Sequence, residues 1–234
     1  MKRWLVLLAA TIGCQATIGC QATHSEPLPK LAQVEAIANG VPLDHGPLQT
    51  PPLSRSAQRI SVDQLAASLP IVAGNDAKQQ AITWTVKVSG KDVPALYEGG
   101  LGTTLGRPDY FQTTQESDEA SSLYLKFADD MARDVCAKMV AADLVQTDTT
   151  KRNLIRFANF SAWNDKKAVA ANLRYLSLRF LGRKVADNDV STLADLQDLY
   201  DKVAAAQAKD ADRGKAGWQA VCVALLISPE FHVN

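Results

Sequence analysis

The run Gly217 to Phe231, GWQAVCVALLISPEF, constrains the fold more than any other stretch of the chain. Between Trp218 and Ile227 only Gln219 is polar. Trp218, Val221, Cys222, Leu225 and Leu226 follow the i, i+3, i+4, i+7, i+8 spacing of one helical face. Val223, Ala224 and Ile227 make the opposite side apolar as well. A helix apolar all round belongs in a core, and about ten residues are too few to cross a bilayer. Ser228-Pro229 then breaks it, because the residue before a proline avoids the α region. Other helices must cover this one. The expected fold is therefore all-α, a helical bundle with at most a minor strand or hairpin around a buried C-terminal helix.

The upstream sequence supplies the covering helices. Leu123 to Val145 carries the stripe Leu123, Phe127, Ala128, Met131, Ala132, Val135, Cys136, Met139, Val140, with Asp118, Glu119 and Ser121 suited to its start. Lys151 to Phe160 reads as a shorter amphipathic piece. Lys166 to Leu181 is helical with Val169, Leu173, Leu176 and Phe180 inward, and Gly182 is placed to stop it. A helix from Asp187 or Asn188 to Ala206 places Val190, Leu193, Leu196, Tyr200 and Val203 on one face, and Gln207 to Lys215 reads as a loop. Before these, Ser61 is suited to cap a short helix that Pro70 ends. Ile82, Trp84, Val86 and Val88 alternate with polar residues as in a strand, either part of a hairpin closed near Ser89-Gly90 or extended chain packed on helices. In the glycine-rich stretch Val93 to Gly106, Asp92 and Pro94 fit the start of a helix that the glycines weaken, and Arg107 to Phe111 form a turn.

The N-terminus reads as an export signal. Lys2 and Arg3 precede the apolar run Trp4 to Ile12, and small residues lead to Cys14. The segment ATIGCQ is repeated in tandem, so Cys20 has the same approach. Thr11-Ile12-Gly13-Cys14 resembles the lipobox of bacterial lipoproteins, in which the cysteine becomes the lipidated first residue. Cys14 is the preferred anchor because the apolar run abuts it, with Cys20 the alternative. Gln15 in place of Asp implies, by the lipoprotein sorting rule, the outer membrane. The division expected is 1–13 signal, 14–59 proline-rich tether or irregular segment, and 60–234 helical domain. With 25 basic and 25 acidic side chains the chain lacks the basic excess of a nucleic-acid binder.

Chemistry-bearing residues are sparse. Cys136 and Cys222 both fall on apolar helix faces, and in an exported protein such a pair reads as a disulfide, with two buried free thiols as the alternative. Asp130 and Asp134, i and i+4 with Asp129 beside them, fit a cation site or an acid–base pair, but a solvated helix face explains them better. Glu230 and His232 could bind a metal, but two ligands make a weak site; Phe231 is expected to tuck under the domain. Trp84, Trp163 and Trp218 read as core or rim anchors. No catalytic, cofactor-binding or metal-ligating residue is assigned.

Asn172 to Asn234 resembles the C-terminal region of large exported proteins that accompany Planctomycete-type cytochrome c domains. The carriers are Arg179-Phe180-Leu181-Gly182-Arg183 and Leu225-Leu226-Ile227-Ser228-Pro229-Glu230-Phe231. The resemblance implies a mainly helical exported domain with a surface or redox partner, and transfers no catalytic residue. Two functions are compatible with this reading. One is a non-catalytic envelope lipoprotein that binds or scaffolds another exported protein. The other is an accessory subunit of a redox complex, or an envelope enzyme working near Asp130 or the Arg179–Arg183 corner.

Overall fold

Two helices brought together at a pair of cysteines carry the architecture. The structure is a computed structural model that describes residues 58–97, 101–117 and 120–233. The expected signal, the candidate anchors Cys14 and Cys20 and nearly all of the expected tether lie outside the described residues.

Helix α2, Ser122–Val145, begins where the Ser121 hydroxyl accepts the Tyr124 N–H at 3.1 Å. Ala128, Met131, Ala132, Val135, Cys136, Met139 and Val140 form its buried face. At the first turn Tyr124 is buried and Leu123 is 47% exposed, one position from the expected stripe. The phase explains it: stepping back from Ala128 and Met131 by four and seven residues reaches 124, not 123.

Helix α5, Asp210–Leu226, opposes this face with Trp218, Val221, Cys222, Leu225 and Leu226, all buried. Its apolar back is not wrapped as the sequence suggested. Val223 and Ala224 are half-covered and Ile227 is 42% exposed. The helix also starts earlier, inside the stretch read as a loop, with Asp210 and Asp212 in the turn where the helix dipole favours negative charge. The sulfurs of Cys136 and Cys222 are bonded at 2.00 Å, with Cα atoms 5.8 Å apart.

Helix α4, Ala194–Ala205, packs along α5, its Tyr200 ring 4.6 Å from that of Trp218. Small residues permit the approach. A Cβ on Gly217 would meet the Tyr200 ring at 2.7 Å, and one on Gly214 the Phe160 carbonyl oxygen at 2.1 Å. Helix α4 starts later than expected because Asp189 folds residues 189–192 into a turn, accepting from Thr192 N–H at 3.1 Å and from the Ser191 and Thr192 hydroxyls. Those hydrogen bonds, the Thr192 hydroxyl first, hold the Asp189 carboxyl down to about 2. Helix α3, Lys166–Leu181, has the expected bounds and buries Val169, Leu173, Leu176 and Phe180. Asp165 caps it, and Gly182 closes it in the left-handed conformation at φ 64°.

Helix α1, Val62–Ala73, opens with reciprocal Ser61 and Gln64 bonds of 3.0 Å. Pro70 does not end it. The helix continues to Ala73, and Gly74 N–H reaches the Pro70 carbonyl at 2.9 Å. A proline there removes one backbone bond, while the last turn buries Leu69 and Ala73. The alternating run is one arm of a hairpin. Strands β1, Thr85–Val88, and β2, Lys91–Pro94, pair antiparallel, Val86 opposite Val93, across Ser89-Gly90, both at positive φ. Asp92 and Pro94 therefore lie in a strand, not in a helix. Asp134 on α2 accepts the Thr85 N–H at 3.0 Å and docks the hairpin. Residues 152–164 are irregular after a 3-10 turn at Thr149–Lys151, where the sequence suggested an amphipathic helix. A last turn, α6, Pro229–His232, is capped by Ser228.

Two outcomes test this packing. Gly214→Ala adds about 1 kcal/mol of helix propensity, yet it drives a methyl into a backbone carbonyl. We expect a net loss on the order of 1–3 kcal/mol in urea unfolding. Reduction of the Cys136–Cys222 bridge, which spans 86 residues, is expected to cost about 4–5 kcal/mol. Two alkylatable thiols at Cys136 and Cys222 in the natively produced, unreduced protein would refute the bridge.

Candidate functional site

Most candidate side chains from the sequence are engaged in structure. Asp129 pairs with Arg133 at 2.7 Å, Asp130 with Lys126, and Asp134 with Lys138 at 2.5 Å. Lys138 Nζ also donates to the Thr83 carbonyl and the Thr85 hydroxyl. The acidic cluster is a row of i, i+4 pairs whose last member fastens the hairpin, not a convergent site. Arg179 donates to the Val72 carbonyl at 2.7 Å and to the Tyr175 hydroxyl at 2.8 Å, tying α3 to α1. Arg183 pairs with Glu230, so the two stretches that carry the resemblance meet in space. Trp84 and Trp218 are buried, and Trp163 lies at the rim under the Arg213 guanidinium at 4.8 Å. Among the described residues no group of three or more His, Cys, Asp or Glu converges on one point. No described helix is long and apolar enough to cross a membrane.

Two buried polar side chains organise the irregular segment. Asp143 on α2 accepts the N–H groups of Asn153 at 2.7 Å, Leu154 at 2.8 Å and Ile155 at 2.7 Å. Burial pushes its carboxyl up, and the three donors oppose that shift. Asn172 on α3 accepts from Arg156 and Phe157 N–H and donates to the Leu154 carbonyl at 3.0 Å. Residues 153–157 therefore satisfy their backbone through side chains instead of through a helix.

A second assembly joins the two ends of the described chain. His232, buried in α6, touches the Leu226 carbonyl through Nε2 at 2.7 Å and the Tyr124 hydroxyl through Nδ1 at 2.8 Å. A carbonyl only accepts, so Nε2 carries the proton and Nδ1 accepts from the tyrosine. The Arg59 guanidinium lies over the Tyr124 ring at 4.3 Å, with its side chain 2% exposed. Its Nη2 donates to the Ser117 carbonyl at 2.5 Å and lies 3.5 Å from Glu116. Glu116 in turn accepts the Val62 N–H at 2.5 Å. Backbone contacts close the ring: Ile60 N–H donates to the His232 carbonyl at 2.8 Å, and Arg59 bridges Val233. Arg59, the last residue assigned to the tether, is thus a core residue. Phe231 packs only partly against the core; the locking residue at this end is its neighbour His232.

The third assembly is open. Tyr97, Tyr110 and Phe111 are 53%, 73% and 97% exposed and border one cleft of about 830 Å³. Its floor is Ala66 and Ala67 of α1 with Gly102, and its rim holds the Arg107–Asp63 ion pair at 2.5 Å. The aromatic pair is presented by a turn in which one Asp109 oxygen accepts from the N–H groups of Phe111, Gln112 and Thr113. The sequence shows the turn but not the exposure of its rings. The signal available was two adjacent aromatics beside Asp109, outside any helical stripe.

The chain matches no protein-family model, no curated protein and no solved structure.

The Asp143 hub gives a direct test. In Asp143→Asn one acceptor becomes an NH2 group that faces a backbone N–H. We expect a loss of about 2–3 kcal/mol in chemical denaturation, with the α2 helix retained by circular dichroism.

Proposed function

We propose that the protein is an exported, lipid-anchored envelope protein whose helical domain binds another exported protein through the Tyr97–Tyr110–Phe111 cleft, and that it performs no chemistry itself. One observation supports this reading above others: three aromatic rings stand in solvent around a single cleft. Exposed aromatic residues are costly unless something covers them, and Tyr, Phe and Arg are the side chains that partner surfaces favour. The acidic and arginine residues proposed for an enzyme are occupied in helix pairs and tie contacts. The export signal and the Cys14 lipobox, with Cys20 as alternative, supply the address; the Gln15 rule favours the outer membrane.

The test uses the full chain in its native envelope. A photoreactive residue at Phe111 should give one discrete cross-linked adduct with an exported protein, and Tyr110→Ser should reduce its yield at least tenfold. The same residue at Lys202, on the exposed face of α4, should give none. Absence of any adduct from Phe111 removes the binding role. Separately, Cys14→Ser should abolish fatty-acid labelling while Cys20→Ser leaves it; the reverse result moves the anchor to Cys20.

A further inference from the structure

The His232 assembly does more than close the chain ends, because it also anchors the loop that presents the aromatic rings. That loop leaves α1's neighbourhood at Gly106 and returns at Glu116 and Ser117. Gly106 and Ser117 face each other, with Ser117 N–H 3.4 Å from the Gly106 carbonyl. A Cβ on Gly106 would lie 3.0 Å from Arg59 Nη2. Glu116 holds Val62, and Ser117 is held by Arg59. Arg59 therefore fastens the returning foot of the loop, which in turn pairs with the leaving foot through Ser117 N–H and the Gly106 carbonyl, and Arg59 is itself seated on the Tyr124 ring whose hydroxyl hydrogen-bonds His232.

We infer that His232 is a proton-operated latch: protonation at Nδ1 releases the Arg59–Tyr124–Glu116 assembly and loosens the loop that carries Tyr110 and Phe111. The neutral ring uses Nδ1 as an acceptor. Once Nδ1 gains a proton, the ring can no longer accept the Tyr124 hydroxyl hydrogen: the hydroxyl has to turn and accept from Nδ1–H, and its own buried hydrogen loses the acceptor it had. The new charge is also buried beside a guanidinium. The groups that face the imidazole are the Tyr124 hydroxyl from α2, the Leu226 carbonyl from α5 and Arg59 from the incoming segment, with Glu116 behind Arg59. Glu230 and Arg183, the other charges near this turn, pair with each other at the surface.

The direction of the pH effect follows. Burial, and then Arg59, lower the His232 pKa from its ordinary 6.5, against the Leu226 hydrogen bond that raises it. The unfolded chain therefore binds more protons than the folded one below that value. The latch contributes stability that is fully present above about pH 6.5 and is lost as pH falls through the lower folded value.

Hydrogen exchange of the full chain reads this without a partner. We expect protection factors at Ile60, Val62 and Ser117 to fall at least tenfold between pH 7.5 and 5, with the α3 interior unchanged. In His232→Gln that pH dependence should vanish. Should this variant fail to fold, the wild-type imidazole signals followed by NMR decide instead: they must titrate in step with the Ile60 exchange. A flat profile in the wild type, an identical profile in His232→Gln, or an imidazole that titrates out of step each overturns the latch.

The consequence for binding rests on the proposed role of the cleft, and its failure is separable. The Phe111 cross-link should weaken at least tenfold over the same pH range. Loss of the exchange effect with the cross-link intact at both pH values rejects the latch alone. An exchange effect with no cross-link at any pH rejects the cleft and leaves the latch standing.

Discussion

The seam between α2 and α5 is the contact on which the rest of the domain depends. Each helix offers an unbroken apolar face, and the two faces meet at Cys136 and Cys222, both fully buried. Burial of large side chains such as Met131, Met139, Trp218 and Leu225 supplies the main favourable term, at about 25 cal/mol per Å² removed from water. The covalent link adds to this by restricting the unfolded chain. Once the seam exists, α4 lies against α5 because Gly217 leaves room for Tyr200, and Gly214 likewise admits the Phe160 carbonyl of the irregular segment. That proximity has a cost. Neither the Tyr200 hydroxyl nor Trp218 Nε1 finds a hydrogen-bond partner among the described residues, and burial, with Asp201 adding to it, pushes the Tyr200 phenol well up.

Polar groups inside this domain serve the backbone. Asp143 and Asn172 take up the amides of a segment that forms no helix, so a stretch without regular structure can run through the core. Arg59 is the most demanding case. Its Nε and Nη1 find no partner among the described residues, and the charge is balanced by Glu116, the Ser117 carbonyl and the face of Tyr124. A buried charge held in this way is sensitive to its neighbours, which is why a single imidazole proton two groups away can matter.

The open surface is arranged differently. The cleft is built from one helix, the glycine-rich turns and the Asp109 loop, and its rings point outward. One helix, α1, lines one side, and a loop whose feet pair through Gly106 and Ser117 presents the rings. This division suits the proposed binding role: the fold is secured by the seam, so the loop can carry exposed aromatic residues without carrying the core.

The amino-acid order alone determined the helical class, α3 from Lys166 to Leu181, the capping of α1 and α2, and the place of Cys136 and Cys222 on apolar helix faces, while their pairing stayed open until the two helices were seen to meet. These follow from local periodicity and capping chemistry, which act within a few residues. Tertiary structure decided the rest. Pro70 stays inside a helix because Leu69 and Ala73 are buried there, and Lys151 to Phe160 gives up its amphipathic pattern because Asp143 and Asn172 claim its amides. His232, Tyr124 and Arg59 come from three separate parts of the chain, and nothing local links them. Their hydrogen bonds exist only once the first and last described strands of chain lie side by side, and long-range proximity of that kind leaves no periodic trace in a sequence.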